Sequence, residues 1–196
     1  MPQNAQLTRD DLWSLEEYSV NRPDFRKTVL AHKKHRQVLL GDHLQLIFED
    51  ATTIRYQIQE MLRIEKVFEA DGIQEELDAY NPLIPDGDNW KCTMLIQYQD
   101  VEVRKQKLAE LINVESLVWV QVGDTDKVFA IADEDMERAN DEKTSAVHFM
   151  RFQFPADAIA AAKGGAEIKL GCDHDNYNLS MTLPEAVRSA LVEDFS

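Results

Sequence analysis

Three polar side chains stand where the local period places apolar ones: His32, Glu65 and His148. Two imidazoles and a carboxylate are the ligand set of many iron, manganese and zinc sites, and Glu49, Glu60 and Glu69 are further oxygen donors within reach of the same elements. Glu65 carries the strongest signal. At about 3.6 residues per turn, Ile54, Ile58, Met61, Leu62 and Phe68 share one helix face, and Glu65 falls near the middle of that stripe. Desolvation penalises a bare carboxylate, so such a residue must be protonated, ion-paired, hydrogen-bonded or bound to a cation. Arg63 and Arg151 are the candidate ion-pair partners, or the holders of an anionic substrate in an enzyme. The competing reading is architectural: each polar residue is satisfied separately, by Arg36, Arg63, Arg151 or Tyr80. The helix also lacks the Glu-x-x-His spacing of carboxylate-bridged di-iron bundles.

Other chemistries leave little trace. Seven glycines form no Gly-rich turn between a strand and a helix, and there is no Gly-x-Ser-x-Gly or His-Glu-x-x-His. Asp133-Glu134-Asp135-Met136-Glu137 resembles the start of a calcium loop, but Arg138 replaces its glycine and Thr144 its closing acid, so it reads as a solvated acidic loop. Cys92 and Cys172 lack a Cys-x-x-Cys partner and read as buried thiols. The segment from Tyr80 and Asn81 to Asp88 carries two prolines, which suit a stiff lid or docking edge beside a pocket, or simply a helix stop and a turn.

The elements that must position these residues follow from period and punctuation. Helices are predicted from Thr8 through Val20 and over 23–36, the second, with Arg22 just before it, bearing six basic residues in an otherwise acidic chain. Strands over 37–40 and 44–49 form a hairpin; Asp50 then caps a long helix ended by Gly72, and a shorter helix stops at Asn81-Pro82. A strand over 91–98, a helix from Asp100, a hairpin of 117–122 with 127–132 and a strand over 145–154 come next. A short helix after Pro155, strands over 167–171 and 179–183 and a terminal helix from Pro184 complete the chain. Strands arrive as hairpins rather than in alternation with helices. This points to one α+β domain over 1–196, with a mostly antiparallel sheet flanked by helices.

Composition narrows the partners. A net charge of −15 repels a phosphate backbone and an anionic bilayer, so no nucleic acid and no membrane partner is expected. No apolar run is long enough for a signal sequence or a span, which gives a cytoplasmic expectation.

The stretches LTRDDLWSLEEY, QEMLRIE, ELDAYNPLIP and KTSAVHFMRF resemble the bacterial family of unknown function numbered 3501, over nearly the whole chain. That family offers no established activity and no catalytic residues to carry over. The resemblance implies a bacterial protein in a redox or oxidative-stress setting, with rubrerythrin-like or iron-sulfur oxidoreductase proteins as partners. The first expectation is therefore an accessory, partner-binding protein. The second is a metal-binding protein or metal-dependent enzyme using His32, Glu65 and His148, and the third a small-molecule sensor with a pocket against the sheet.

Overall fold

The computed structural model describes residues 5–134 and 143–196. Thr8 and Asp11 tie a 3-10 turn over Arg9–Asp11, and Ser14 caps the first α-helix, α1 (Leu15–Lys33), accepting from the Glu17 N–H at 3.2 Å. The two helices expected on either side of Pro23 are thus one. Pro23 withholds one N–H from the helix ladder, but it is exposed, and the carbonyl left without that partner can be solvated. Only Tyr18 and Val29 of α1 are buried.

The hairpin of β1 (Gln37–Leu40) and β2 (Leu44–Phe48) turns at Gly41, whose φ of +63° suits a residue without a Cβ. Next come α2 (Ala51–Glu65), α3 (Ala70–Tyr80) and a 3-10 turn over Asn81–Leu83. After β3 (Asn89–Ile96) come α4 (Val101–Glu110), the short α5 (Val114–Leu117), β4 (Val118–Val122), β5 (Val128–Phe129) and β6 (Ile131–Ala132). The chain closes with β7 (Val147–Gln153), α6 (Ala156–Lys163), β8 (Ile168–His174), β9 (Tyr177–Thr182) and α7 (Glu185–Val192).

The fold is α+β and every strand pairing is antiparallel, but the strands form two sheets, ordered β1-β2-β3-β7-β6 and β5-β4-β8-β9. The expected partner of β4 splits at Ala130. Val128 and Phe129 pair with Val120 and Trp119, whereas Ile131 and Ala132 cross to Arg151 and Met150 of the other sheet. Leu44, Leu46, Phe48, Met94 and Phe152 of the first sheet share one core with Val118, Val120, Leu170 and Cys172 of the second. Alternation leaves successive rows on the outer face of the first sheet: Leu39, Gln45, Leu95 and Val147, then Gln37, Ile47, Thr93 and Phe149, then Lys91, Arg151 and Ile131.

A second cluster lies in the helical layer, where Leu7 and Leu12 pack with Ile54, Ile58, Leu62, Ile73, Leu77 and Ile84. Here the long predicted helix is corrected. Lys66 adopts a left-handed conformation (φ +57°) and its N–H closes on the Leu62 carbonyl, so α2 stops after Glu65. Gly72 does not end a helix but lies inside α3, where a Cβ would come within 2.7 Å of Val67 Cγ1.

One buried group joins these layers. Arg36 is fully buried and donates to the Phe48 and Glu49 carbonyls, each at 3.1 Å, and to both carboxylate oxygens of Asp194, at 3.1 and 2.5 Å; Asp50 lies 3.4 Å away. Desolvation pushes the Asp194 carboxyl up to about 6, against the pull of the Arg36 charge and hydrogen bonds. The folded state therefore holds this proton more tightly than the unfolded chain. The stabilisation is full below the unfolded value near 4 and is lost as pH rises through about 6. Urea unfolding between pH 3 and 8 should show this component, at most about 3 kcal/mol, in the native protein, and Asp194→Asn should remove it. An unchanged pH slope in Asp194→Asn would contradict the assignment.

Candidate functional site

The structure sends the three predicted ligands to three places. His148 lies in β7, fully buried: Nδ1 is 2.6 Å from Asp133 Oδ2, and Nε2 is 3.0 Å from the Ser145 carbonyl and 2.9 Å from Thr144 Oγ1. Hydroxyl, imidazole and carboxylate are connected as in a nucleophilic relay. The partners differ, however, because Nε2 also faces the Ser145 carbonyl, which only accepts. Thr144, 1% exposed, donates its own proton to Glu115 Oε2 at 3.0 Å. This network fastens β7 to residues on both sides of the acidic stretch, most of which (135–142) lies outside the described residues.

His32 meets Asp50 instead, at 2.5 Å through Nε2. Burial alone would raise the Asp50 carboxyl, but the His32 hydrogen bond, the Arg36 charge and the Thr53 N–H together hold it below the usual range. Glu65 is exposed at the end of α2. Helical period gave the direction of its side chain correctly relative to Ile58 and Leu62, but the apolar cluster has no α2 member beyond Leu62. Phe68 lies beyond the left-handed turn at Lys66 that ends α2, and is 70% exposed. Among the described residues, no group of three or more His, Cys, Asp or Glu side chains could hold a metal ion. The predicted iron, manganese or zinc set therefore does not assemble.

The arginines are also engaged elsewhere. Arg63 reaches Glu60 at 3.4 Å, and Glu60 already binds Arg22 (2.7 and 2.9 Å) and the Tyr18 hydroxyl (2.6 Å); Arg22 above all holds its carboxyl down at about 2, joining α1 to α2. Arg151 makes a bidentate pair with Glu134 at 2.9 and 2.7 Å. Asn81 clasps the Leu7 backbone, accepting from its N–H and donating to its carbonyl, both at 2.9 Å, so this part of the expected lid is fastened. Burial pushes both cysteine thiols up, which disfavours the reactive thiolate.

What converges is a different set. Glu49, Tyr80 and Arg151 all face one trench between the outer face of the first sheet and the layer of α2, α3 and the Asn81–Leu83 turn. Three adjoining cavities of about 240, 450 and 280 Å³ share Leu83 and Phe149 on their walls. Ile47, Ile54, Met61, Pro82 and Met150 complete the apolar lining. At the inner end Glu49 Oε2 accepts from Thr53 Oγ1 at 2.6 Å, and Oε1 from Thr93 Oγ1 at 2.8 Å. Thr53 belongs to the first turn of α2, where it exchanges capping bonds with Asp50, and Thr93 lies across the sheet on β3. Glu49 was expected as an extra metal oxygen; Lys33, Thr53, Thr93, Leu83 and Phe149 were not singled out. The available signal was the Glu49-Asp50 pair at a strand-to-helix joint.

A more open groove of about 800 Å³ lies on the far side of Val147. Its polar groups serve local structure: His43 stacks on Tyr98 at 3.9 Å and bonds the Gln97 carbonyl, and Arg104 donates to the Tyr98 carbonyl.

Replacing His148 with Leu should leave Asp133 and Glu115 without their shared partner and cost about 3–5 kcal/mol in urea unfolding. A loss below about 1 kcal/mol would show that the imidazole is not the fastener described.

Comparison with known proteins adds lineage without activity. A family model described as "Protein of unknown function (DUF3501)" matches residues 6–195. A crystal structure of a protein of unknown function from Burkholderia pseudomallei K96243 is similar at 49% identity and a TM-score of 0.93, covering 98% of this chain and 100% of that one. No curated protein matches.

Proposed function

The chain belongs to the DUF3501 family of unknown function, and from that premise we propose that it is a binding protein whose ligand lies in the trench beneath α2 and α3. One observation carries this reading: three adjoining cavities share Leu83 and Phe149 on their walls, with Glu49 and Lys33 in one, Glu76 and Asp78 in the second, and Arg151 and Glu134 in the third. The imidazoles of His32 and His148 are committed to holding elements together, and both thiols are buried, so the trench offers recognition more readily than bond-making. A small-molecule sensor fits such a site.

A second reading, an accessory protein of a redox system, draws on α1. That helix buries two residues only and presents Arg26, Lys27 and Lys34 beside Val20 and Leu30, which are 80% and 45% exposed. Mixed basic and apolar exposure suits a protein partner, with the acidic remainder of the surface setting orientation. The rubrerythrin-like and iron-sulfur oxidoreductase proteins implied by the resemblance are the partners to try first, by pull-down at moderate salt.

For the trench, a neutral solvatochromic dye such as Nile red should bind saturably with enhanced emission. Leu83→Gln, at a half-buried wall position, should weaken that binding at least about tenfold, a difference of about 1.4 kcal/mol, while Tm stays within a few degrees. Dye binding that is absent, or indifferent to Leu83→Gln, would refute the trench as the site.

A further inference from the structure

The inner end of the trench holds opposite charges that have not found each other. Glu49 is only 8% exposed, and its two oxygens are met by threonine hydroxyls, which solvate a carboxylate without neutralising it. No Lys, Arg or His nitrogen lies within ion-pair distance of it among the described residues. Lys33 lines the same cavity of about 240 Å³ and makes no ion pair among the described residues. The outer end is different, since Arg151 is paired with Glu134 and Lys91 sits 3.4 Å from Asp86. Among the described residues of the trench, unmatched charges of both signs therefore meet in one cavity, while the adjoining one of about 450 Å³ carries two acids without an ion pair, Glu76 and Asp78.

Resting on the reading of the trench as a binding site, we propose that this cavity receives the zwitterionic head of an apolar α-amino acid. The ligand's ammonium lies against Glu49, with the Gln57 amide and Tyr80 hydroxyl as further acceptors on the cavity wall, and its carboxylate meets Lys33. Its side chain runs along Ile54, Leu83 and Phe149 toward the rest of the trench. A simple cation would meet Lys33 as a like charge, and a simple anion would meet Glu49. Only a ligand bearing both charges satisfies both groups, and the buried carboxylate gains the counter-charge it lacks.

Calorimetric titration of the full chain separates these ligands. L-leucine, L-methionine or L-phenylalanine should bind saturably at millimolar concentration or below, whereas 2-phenylethylamine and 3-phenylpropanoate, each lacking one charge, should bind at least about tenfold more weakly than phenylalanine. Glu49→Gln and Lys33→Met should each lower amino-acid affinity by a similar factor, with cooperative thermal unfolding showing that both variants are folded. The dipeptide Gly-Phe tests whether a chain end serves equally: binding comparable to that of phenylalanine would overturn the free amino acid as the ligand, and weaker binding supports it. Affinity for the amine or the acid equal to that for the amino acid, or unaltered by both substitutions, overturns the proposal. If Nile red binds and no amino acid binds or displaces it, the ligand class is wrong and the trench stands. If neither dye nor amino acid binds, both readings fall together.

Discussion

A guanidinium cannot be taken out of water without carboxylates and carbonyls to receive it, and the burial of Arg36 organises much of this protein. Its acceptors come from the end of β2, from the cap of α2 and from Asp194, 158 residues further on. The same joint presents Glu49 to the trench, Asp50 to His32 and Thr53 to Glu49. The trench thus inherits its geometry from a charge cluster on the other side of the backbone. The C-terminal segment is held from a second direction as well, because Phe195 stacks on Trp90 and Trp90 donates to the Leu191 carbonyl.

Within this frame the ionisable side chains divide by what surrounds them. His32, His148, Glu60 and Arg151 are closed into pairs or networks within hydrogen-bonding distance, and their chemistry is absorbed by the fold. Glu49 is hydrogen-bonded to threonine hydroxyls alone, and among the described residues neither it nor Lys33 makes an ion pair. An unmatched pair of opposite charges in an apolar trench is costly to keep, and that cost is the physical reason to look for a ligand there rather than at the histidines.

The elements legible in the sequence were those that a local rule decides. Alternation of Leu44, Leu46 and Phe48 gave β2, Gly41 gave its turn, and Asp50 gave the start of α2. Three features went unread because the deciding contact is distant or the local signal is weak. Pro23 reads as a helix start, yet the capping box of Ser14 and Glu17 and an exposed setting let one helix run through it. Lys66 carries no sequence mark of a left-handed cap. Ala130 divides its strand between two sheets because Val118 takes its N–H while the following residues meet β7.

The sequence by itself determined the α+β class, the antiparallel hairpins, the family and the presence of polar residues on apolar faces, all of which follow from backbone period and residue type. Tertiary structure alone decided which polar groups met. Helical period placed Glu65 on the right face but could not say that nothing covers that face beyond Leu62, whereas Glu49 gave no periodic signal and became the enclosed carboxylate. Period is a property of a dozen consecutive residues. Burial and pairing belong to the whole chain, because the groups that enclose Glu49 come from α1, α2, α3, β3 and β7, from Lys33 to Phe149.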